Sequence, residues 1–408
     1  ADNFTGYTPT FQYSWETSTD GTTWNKLSTT DATDNNNTYT MTSSDVGKQV
    51  RGVVSYLDGY GTNEVVNSTA STTVSNNLTI RGASIYTIVD GPSWTQAEAN
   101  SVKLGGHLAA ISSENENDFI WNKFDIKGGW VRYYGDTGVP DPTAKSYWIG
   151  FSDSESEGNW KWSSGEVFSY TKWHDERLYG GDLSPNGGRG ENYGYIGGVK
   201  DRTWDDAPGN SMSGGISETK FIRRGDSAYV IVQGPTWEEA EANAVKLGGH
   251  LVTINNSEEN KFLHDSFGDN YSQGIWLGGT DKNREGVWVW VDGSPWNYQN
   301  WEARQPDNSS NPNYNTGGEN YLQYVGGWKS GTWNDVANEI NNVSPLSDLA
   351  TYIGIAEIKL EPNNQPTGIL SVTGTAKVGS ALTIDATTIK DADNFTGYTP
   401  TFQYSWET

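Results

Sequence analysis

Cysteine is absent from the 408 residues, and histidine occurs only four times. A chain without cysteine forms no disulfides and holds no metal through thiolates. No two histidines stand at the spacing of a zinc site, which argues against a zinc centre built from histidine. No apolar run approaches the roughly 20 residues that cross a bilayer, so the sequence predicts no membrane span in this segment.

Positive charge is also scarce. The chain has 27 Lys and Arg against 51 Asp and Glu, which gives a formal net charge of −24. Nucleic acids attract basic surfaces, so this balance argues against a nucleic-acid partner. The acidic excess suits divalent cations, and it would equally keep a surface protein soluble. Aromatic residues make up 13% of the chain, which indicates compact β-rich cores rather than disorder.

The two ends of the chain are identical. The segment ADNFTGYTPTFQYSWET occupies residues 1–17 and recurs unchanged at 392–408. Such identity predicts that the chain is one period, and slightly more, of a tandem array. Taken around the period, residues 362–391 continue into residues 1–78. Short alternating segments such as FQYSW and TYTMT, separated by Gly, Asp and Asn, predict an antiparallel sandwich there.

This unit resembles the bacterial immunoglobulin-like repeats of giant surface proteins. The resemblance lies in YSWETSTDGTTWNKL, YTMTSSDVGKQVRGVVSYLDGYGT and GTAKVGSALTIDATTIKDAD. It implies an all-β immunoglobulin-like sandwich split between the chain ends. Residues 1–78 would be the C-terminal part of one sandwich, and residues 362–408 the N-terminal part of the next. A neighbouring repeat of the same protein would then complete each sandwich, as in strand complementation.

A second, internal duplication lies between these ends. GPSWTQAEANSVKLGGHLAAI at 91–111 matches GPTWEEAEANAVKLGGHLVTI at 234–254. Both segments predict a helix with an apolar face, and Gly105 predicts the end of the first one. Further on, YWIGFSDSESEGNWKW matches IWLGGTDKNREGVWVW, and the alternating indoles predict core packing. Two capping boxes predict the helix starts: Ser93 with Gln96, and Thr236 with Glu239.

The order of these motifs, closed by a WND-type strand, resembles the C-type lectin-like domain. The resemblance implies two α+β copies, at 81–224 and 225–361. This family usually joins its ends by a disulfide. The matching positions are read as Ala244 with Ala356 in the second copy, and as Ser101 with Arg223 in the first. We therefore expect packing, and metal where it binds, to hold the core without that bond.

The resemblance also implies a calcium site in the second copy. Calcium binds six to eight oxygens from carboxylates, amides and carbonyls. A cis peptide before Pro306 would point the flanking side chains of the Gln-Pro-Asp tripeptide the same way. This tripeptide is the order associated with galactose-type sugars, and Tyr314 is the aromatic candidate for the apolar face of the sugar. The predicted ligands are Gln305, Asp307, Glu319, Asn334 and Asp335, of which all but Asp335 would also bind the sugar.

Further calcium positions follow from the same resemblance. In the second copy, Asp281 and Glu285 mark an auxiliary position, with Asn308 and Asn320 as its neutral partners; a capped turn is the alternative interpretation. In the first copy the tripeptide reads Ser-Pro-Asn, so sugar binding is less favoured there. The first-copy ligands are Asn186, Glu191, Asp205 and Asp206, with Asp153 and Glu157 at the auxiliary position.

Two classes of function fit this pattern. The first is a repeat unit of a bacterial extracellular adhesin that binds galactose-type glycans or glycoproteins with Ca²⁺ through the second lectin-like copy. The second is a structural subunit of an extracellular fibre or surface array, in which these copies are calcium-stabilised spacers. No nucleophile–base pair or phosphate loop indicates an enzyme. A third possibility, ice binding, is disfavoured because the sequence shows no flat threonine array.

Overall fold

The computed structural model describes most of the chain. The described residues are 7–18, 21–27, 37–39, 41, 45, 48–72, 74, 78–127, 130–131, 139–140, 145–174, 184–185, 190–197, 202–267, 274–309, 318–325, 331–338, 353–361, 365–378, 380–391, 394, 400 and 402. Of the predicted site residues, Asn186 and Tyr314 lie outside this set. No helix among the described residues is long and apolar enough to span a membrane.

Four helices and twenty-four strands are described. The helices are α1 (Trp94–Lys103), α2 (Glu114–Lys123), α3 (Trp237–Lys246) and α4 (Ser257–Phe267). The strands are β1 (Gln12–Ser18), β2 (Asn25–Lys26), β3 (Gln49–Leu57), β4 (Asn63–Asn67), β5 (Thr79–Arg81), β6 (Ser84–Asp90), β7 (His107–Leu108), β8 (Trp130–Val131), β9 (Val139–Pro140), β10 (Tyr147–Ser152), β11 (Lys161–Trp162), β12 (Tyr193–Ile196), β13 (Trp204–Ala207), β14 (Gly214–Lys220), β15 (Ile222–Arg224), β16 (Ser227–Gln233), β17 (His250–Leu251), β18 (Ile275–Thr280), β19 (Val289–Trp290), β20 (Tyr321–Tyr324), β21 (Trp333–Val336), β22 (Ile353–Lys359), β23 (Ser371–Gly374) and β24 (Leu382–Asp385).

Two eight-stranded sheets share one topology. The first-copy sheet runs β13-β12-β10-β14-β6-β5, with β11 on β10 and β7 on β14. The second-copy sheet runs β21-β20-β18-β22-β16-β15, with β19 on β18 and β17 on β22. In each sheet one central pair is parallel, Trp148 with Gly215 and Trp276 with Gly354. The repeated order agrees with the internal duplication that the sequence predicts.

The chain ends contain smaller sheets. Strands β2, β1, β3 and β4 form a four-stranded sheet in that order, and β23 pairs with β24. Strand β1 pairs on both sides, with β2 and with β3, in antiparallel register. The immunoglobulin-like sandwich itself stays a prediction. Contacts divide the chain into two compact units: Ala1–Leu78, Ala99–Gly106 and Thr219–Glu361 form one, and Thr79–Glu98, His107–Glu218 and Pro362–Thr408 form the other.

The predicted helix signals are confirmed. The Thr236 hydroxyl accepts from the Glu239 N–H at 3.1 Å, and Ser93 accepts from the Gln96 N–H at 3.3 Å. The φ angle of Gly105, +80°, belongs to the left-handed region that ends helices. The predicted apolar face of α1 is buried at Trp94, Ala97, Ser101 and Leu104.

Indole rings fill the core of each sheet, as the alternating tryptophans predict. In the second copy, Trp290 lies 4.3 Å from Trp296 and 5.8 Å from Trp333, measured between ring centroids. In the first copy, Phe151 lies 5.3 Å from Trp162. Aromatic side chains bury large areas, so these clusters supply much of the apolar stabilisation.

The sheet register corrects one reading of the missing disulfide. Ala356 pairs with Leu251 in the second copy, and the matching pair in the first copy is Ser217 with Leu108. Ser217 therefore stands at the position assigned to Arg223 from the sequence. Arg223 instead lies on β15 opposite Ala228. The register between strands that lie far apart in the sequence is not visible locally, which is why Arg223 was assigned to the wrong position.

A buried polar network joins three elements of the second copy. The Tyr229 hydroxyl lies within hydrogen-bond distance of two carboxylates, 3.1 Å from Glu259 on α4 and 3.4 Å from Glu357 on β22, and donates to one of them at a time. The Ser227 hydroxyl donates to Glu357 at 2.7 Å, and Arg224 lies 3.4 Å from Glu259. The first copy repeats the arrangement. There Tyr86 donates to Glu116 at 2.7 Å, and Ser84 donates to Glu218 at 2.8 Å.

A histidine–glutamate pair follows each of helices α1 and α3. His250 Nδ1 lies 2.6 Å from Glu241 Oε1, and the Leu251 N–H donates to the other Glu241 oxygen at 2.8 Å. Burial opposes the charged imidazole, but the hydrogen bond and the charge of Glu241 outweigh it. The pKa of His250 is therefore raised from its ordinary value of 6.5. The pair is structural, because it fixes helix α3 to the start of β17.

The His250–Glu241 pair generates a pH-dependent stability. A histidine whose pKa is higher in the folded state contributes stability that is fully present below pH 6.5 and is lost as the pH rises through the raised pKa. We expect the difference in unfolding free energy between the wild type and His250→Gln to be larger at about pH 6 than at about pH 8.5. Urea unfolding at both pH values measures it. An equal difference at the two values would contradict the assignment.

Candidate metal centre

Strand β21 is fixed to helix α4 by one tryptophan. The Trp333 indole N–H donates to Asn260 Oδ1 at 2.9 Å, and the Asn260 amide donates to the Gly331 carbonyl at 2.9 Å. Trp333 is fully buried. Asn334 and Asp335 follow it directly and pair with Gln323 and Leu322 on β20. The two polar residues are therefore held at a defined place at the end of the sheet.

The Gln-Pro-Asp loop lies against this strand. The Gln305–Pro306 peptide is cis, as the family resemblance implies, and Asn308 has a φ of +43°. The N–H groups of Asp307 and Asn308 donate to the two oxygens of Asp335 at 3.2 and 2.8 Å. The Glu319 N–H donates to the Asn308 amide oxygen at 2.9 Å. Backbone contacts thus join the loop, β21 and the start of β20.

Three predicted carboxylates meet in this loop. Asp307, Glu319 and Asp335 each offer an oxygen, and these oxygens lie within 4.8 Å of one another. In the described part of the chain, this is the one such group of three acidic, histidine or cysteine side chains. The Ser309 N–H donates to Glu319 at 2.9 Å and to Asp307 at 3.2 Å. Carboxylates at this separation repel one another unless a proton or a cation lies between them.

Two further predicted ligands keep bare oxygens. Gln305 Oε1 and Asn334 Oδ1 are buried and have no hydrogen-bond partner among the described residues. A buried acceptor without a donor costs about 1–3 kcal/mol, so such atoms call for an explanation. Amide oxygens are ordinary calcium ligands. The five residues together offer three carboxylates and two free amide oxygens, which is a donor set that fits calcium.

The electrostatics of Glu319 agree with this donor set. Burial, together with the charges of Asp335 and Asp307, raises the pKa of Glu319 from its ordinary 4.5 to about 7. A divalent cation would reverse this effect by stabilising the ionised carboxylates.

The auxiliary residues Asp281 and Glu285 lie in a turn after β18. Asp281 is almost fully buried; its Oδ2 accepts from the Gly286 N–H at 2.8 Å, and its Oδ1 has no partner in the described structure. Burial raises the pKa of Asp281, and the charge of Asp335 adds to the effect. The Asp281 N–H donates to the Asn320 carbonyl at 3.2 Å. Glu285 is exposed. The turn is capped, and it also leaves one oxygen available.

The first copy has the same backbone arrangement around its tripeptide as the second, but different side chains there. The Ser184–Pro185 peptide is cis, and the Trp204 indole N–H donates to Asn117 at 2.7 Å, as Trp333 does to Asn260. Asp205 accepts hydrogen bonds from the hydroxyls of Ser184 and Tyr195.

The remaining acidic residues of the first copy are placed as follows. Burial raises the pKa of Glu191, and the charge of Asp205 adds to it. Asp206 is buried on β13. Asp153 Oδ2 accepts from the Gly158 N–H at 2.8 Å, its Oδ1 is buried without a partner among the described residues, and Glu157 is exposed.

Sequence reasoning missed the residues that position the site. Asn260 and Asn117 sit on helices distant in sequence from the loops, and only the three-dimensional contact reveals their role. Tyr195 faces Asp205 across β12 and β13, and Gln323 faces Asn334 at the matching place. Recognising either pair requires the strand register, which alternation alone does not give.

Comparison with known proteins identifies related sequences. The family model described as Lectin C-type domain matches residues 90–216 and 233–343. The galactose-specific lectin nattectin of Thalassophryne nattereri is 41% identical over 75 residues, which are 17% of this chain and 46% of that protein. The type-2 ice-structuring protein of Hemitripterus americanus is 39% identical over 80 residues, 19% of this chain and 46% of that protein. The matched region thus spans about half the length of each of these relatives.

A longer match extends over both copies. The human C-type mannose receptor 2 is 26% identical over 234 residues, which are 52% of this chain and 14% of that protein. Among solved structures, the C-type lectin CEL-I from Cucumaria echinata is 26% identical, with a TM-score of 0.28, over 35% of this chain and 96% of that one.

The tryptophan contact predicts a position-specific loss of stability. Asn260→Ala would leave the Trp333 N–H buried without its acceptor, while the Gly331 carbonyl keeps its hydrogen bond from the Asn300 amide at 2.8 Å, so we expect the second-copy sheet to lose about 1–3 kcal/mol. Urea unfolding followed by tryptophan fluorescence measures the loss. The control is Lys261→Ala on the same helix, where an exposed ion pair contributes about 0.5 kcal/mol or less. Equal effects of the two substitutions would refute the role of Asn260.

Proposed function

Because the chain belongs to the Lectin C-type domain family, we propose that it is a carbohydrate-binding protein whose second lectin domain binds sugars through Ca²⁺. One observation carries the proposal: the carboxylates of Asp307, Glu319 and Asp335 converge beside the bare oxygens of Gln305 and Asn334. These five residues would hold the ion. Bound calcium would supply coordination positions for two neighbouring sugar hydroxyls, and the same side chains would hydrogen-bond those hydroxyls.

The tripeptide order supports galactose-type ligands. Gln305, Pro306 and Asp307 follow the order that the family associates with these sugars, and a relative with 41% identity is a galactose-specific lectin. Tyr314 remains the proposed ring for the apolar face of the sugar. We also assign the auxiliary position to Asp281 and Glu285, where the buried Asp281 Oδ1 would be the principal ligand.

We place the two domains at 81–224 and 225–361, and the matched segments fall within these bounds. Strand β15 (Ile222–Arg224) pairs with β16, so the second sheet begins three residues before this boundary. Binding rather than catalysis is the activity that this family supports. We further propose an extracellular location, on a cell surface or secreted, since glycans are displayed there.

The chain ends support a repetitive, adhesin-like arrangement. Residues 1–17 and 392–408 are identical, so we propose that each copy is followed by another. On the four-stranded sheet, one face carries Tyr13 and Trp15 opposite Val54 and Gly52. An aromatic face of this kind is completed in sandwiches by a second sheet.

The β23–β24 hairpin offers a matching apolar face. Val372 pairs with Ile384, so Val372, Ile384 and Leu382 share one face, whereas Thr373 and Thr383 lie on the other. Val372 is 56% exposed and Leu382 is 42% exposed. A two-stranded hairpin is marginally stable alone. We propose that the hairpin of one copy packs on the four-stranded sheet of the next, which completes an immunoglobulin-like sandwich.

This arrangement has two functional readings. In an adhesin, many weak calcium–sugar contacts would add up to avidity along the array. In a fibre or surface array, the lectin domains would be calcium-stabilised spacers. The exposed apolar face of the hairpin favours assembly in either case, and only sugar binding separates the two.

The carbohydrate proposal predicts calcium-dependent binding that one carboxylate controls. On a glycan array, the full chain is expected to bind terminal galactose-type sugars in millimolar calcium and to lose them in chelator. Asp307→Ala removes a ligand to both ion and sugar, and we expect binding at least about tenfold weaker, since even outer-shell changes at metal sites cost 10–100-fold.

The control for this experiment is Asp265→Ala, an exposed aspartate on α4 whose loss leaves the loop intact. Binding that survives chelation, or that both variants reduce alike, would contradict the proposal. Absence of binding in a folded sample with intact assembly would favour the spacer function.

The repeat proposal predicts head-to-tail association of the chain. In sedimentation velocity, oligomers are expected to grow with concentration, because a heterologous interface does not close on itself. Val372→Asp places a charge in the proposed interface and should weaken association at least about tenfold. Thr383→Asp on the opposite face of the hairpin is the matched control. Association that is equally sensitive to both substitutions, or a monomer at every concentration, would count against this interface.

A further inference from the structure

The first lectin domain differs from the second at one pair of facing residues. Tyr195 lies opposite Asp205 on strands β12 and β13. At the matching place on β20 and β21, Gln323 lies opposite Asn334. The strands, the tryptophan contact and the cis peptide are shared by the two domains. The two domains therefore share the backbone arrangement at this place and differ in the side chains that face each other.

Both oxygens of Asp205 are already satisfied by the protein. Oδ1 accepts from the Ser184 hydroxyl and from the Asp206 N–H, the latter at 3.0 Å. Oδ2 accepts from the Tyr195 hydroxyl at 3.1 Å. Ser184 is itself buried, and its N–H donates to the His174 carbonyl at 3.1 Å. Two hydroxyl donors thus occupy a carboxylate that the family pattern reserves for a metal.

The second domain shows the opposite condition. Asn334 Oδ1 is buried without a hydrogen-bond partner in the described structure, and three carboxylates converge beside it. No such group of three is found among the described residues of the first domain. Asp205 Oδ1 already accepts two hydrogen bonds, so a cation there would compete with the Ser184 hydroxyl and the Asp206 N–H, and each hydrogen bond to a charged group contributes about 1.5–3 kcal/mol. The residues present do not fit a calcium ion held by Asp205.

We propose that the hydrogen bonds of Ser184 and Tyr195 to Asp205 take the place of calcium at the tripeptide loop of the first domain, so that this loop is held without the ion. If the calcium proposal for the second domain also holds, the tandem pair consists of one domain whose loop order depends on calcium and one whose loop order does not. The auxiliary position at Asp153 is a separate place, and the proposal does not concern it. Nor does it depend on calcium binding to the second domain.

Hydrogen–deuterium exchange on the full chain tests the proposal domain by domain. Amides of 204–207 report on the first loop, and amides of 333–336 report on the second. At calcium ten times the dissociation constant, the second set is expected to exchange roughly tenfold more slowly than in chelator. The first set is expected to change by less than about twofold. Calcium-dependent slowing of the first set by tenfold, abolished by Asp205→Asn, would overturn the proposal.

Tyr195→Phe provides a second, independent measurement. It keeps the ring, which packs near Trp148 with 6.5 Å between ring centroids, and removes only the hydroxyl. Exchange at 204–207 is expected to become about tenfold faster in both buffers, because a hydrogen bond to a charged group is lost. No change in either buffer would refute the role of Tyr195. If exchange at 333–336 does not change with calcium, the calcium proposal for the second domain is overturned. The Tyr195→Phe effect would still support the proposal for the first domain.

Discussion

The structure depends on burying acidic side chains without a disulfide. In the second domain, Tyr229 and Ser227 hold Glu259 and Glu357 between the first strand, a helix and the last strand. Buried carboxylates are tolerated only when donors satisfy them. Here both donors lie on strand β16 and the acids lie on helix α4 and strand β22, so the requirement to satisfy the acids ties these three elements together. The position next to Glu357 in the chain is Ala356, one of the family's two disulfide positions.

The same electrostatic rule distinguishes the structural acids from those of the proposed metal site. Glu357 and Glu116 each accept from hydroxyl groups supplied by the protein. Glu319, in contrast, is left among other carboxylates, and its pKa rises to about 7. The structural acids accept from hydroxyl groups, whereas Glu319 accepts from the Ser309 N–H beside two further carboxylates. Asp205 of the first domain resembles the structural acids, because it accepts from the hydroxyls of Ser184 and Tyr195.

Much of this could be predicted from the sequence, for identifiable reasons. The capping boxes, the glycine at the helix end and the alternating indoles are local signals, and they are confirmed because local chemistry decides them. The convergence of Asp307, Glu319 and Asp335 was expected from a family resemblance rather than from spacing. The predictions that were wrong or missing depend on strand register. Arg223 was assigned a place that Ser217 occupies, and the facing of Tyr195 with Asp205 went unnoticed, because pairing across strands depends on the whole sheet.

The pairing of β16 with β22 has a mechanical consequence. Ser227, where β16 begins, lies opposite Lys359, where β22 ends, so the chain enters and leaves the second domain side by side. In the proposed array of repeats, tension would reach these two strands after the β15–β16 hairpin and would load their hydrogen bonds one after another from the Ser227–Lys359 end. At that end the Ser227 hydroxyl donates to Glu357 and accepts from the Lys359 ammonium, so a polar contact lies where force enters the strand pair.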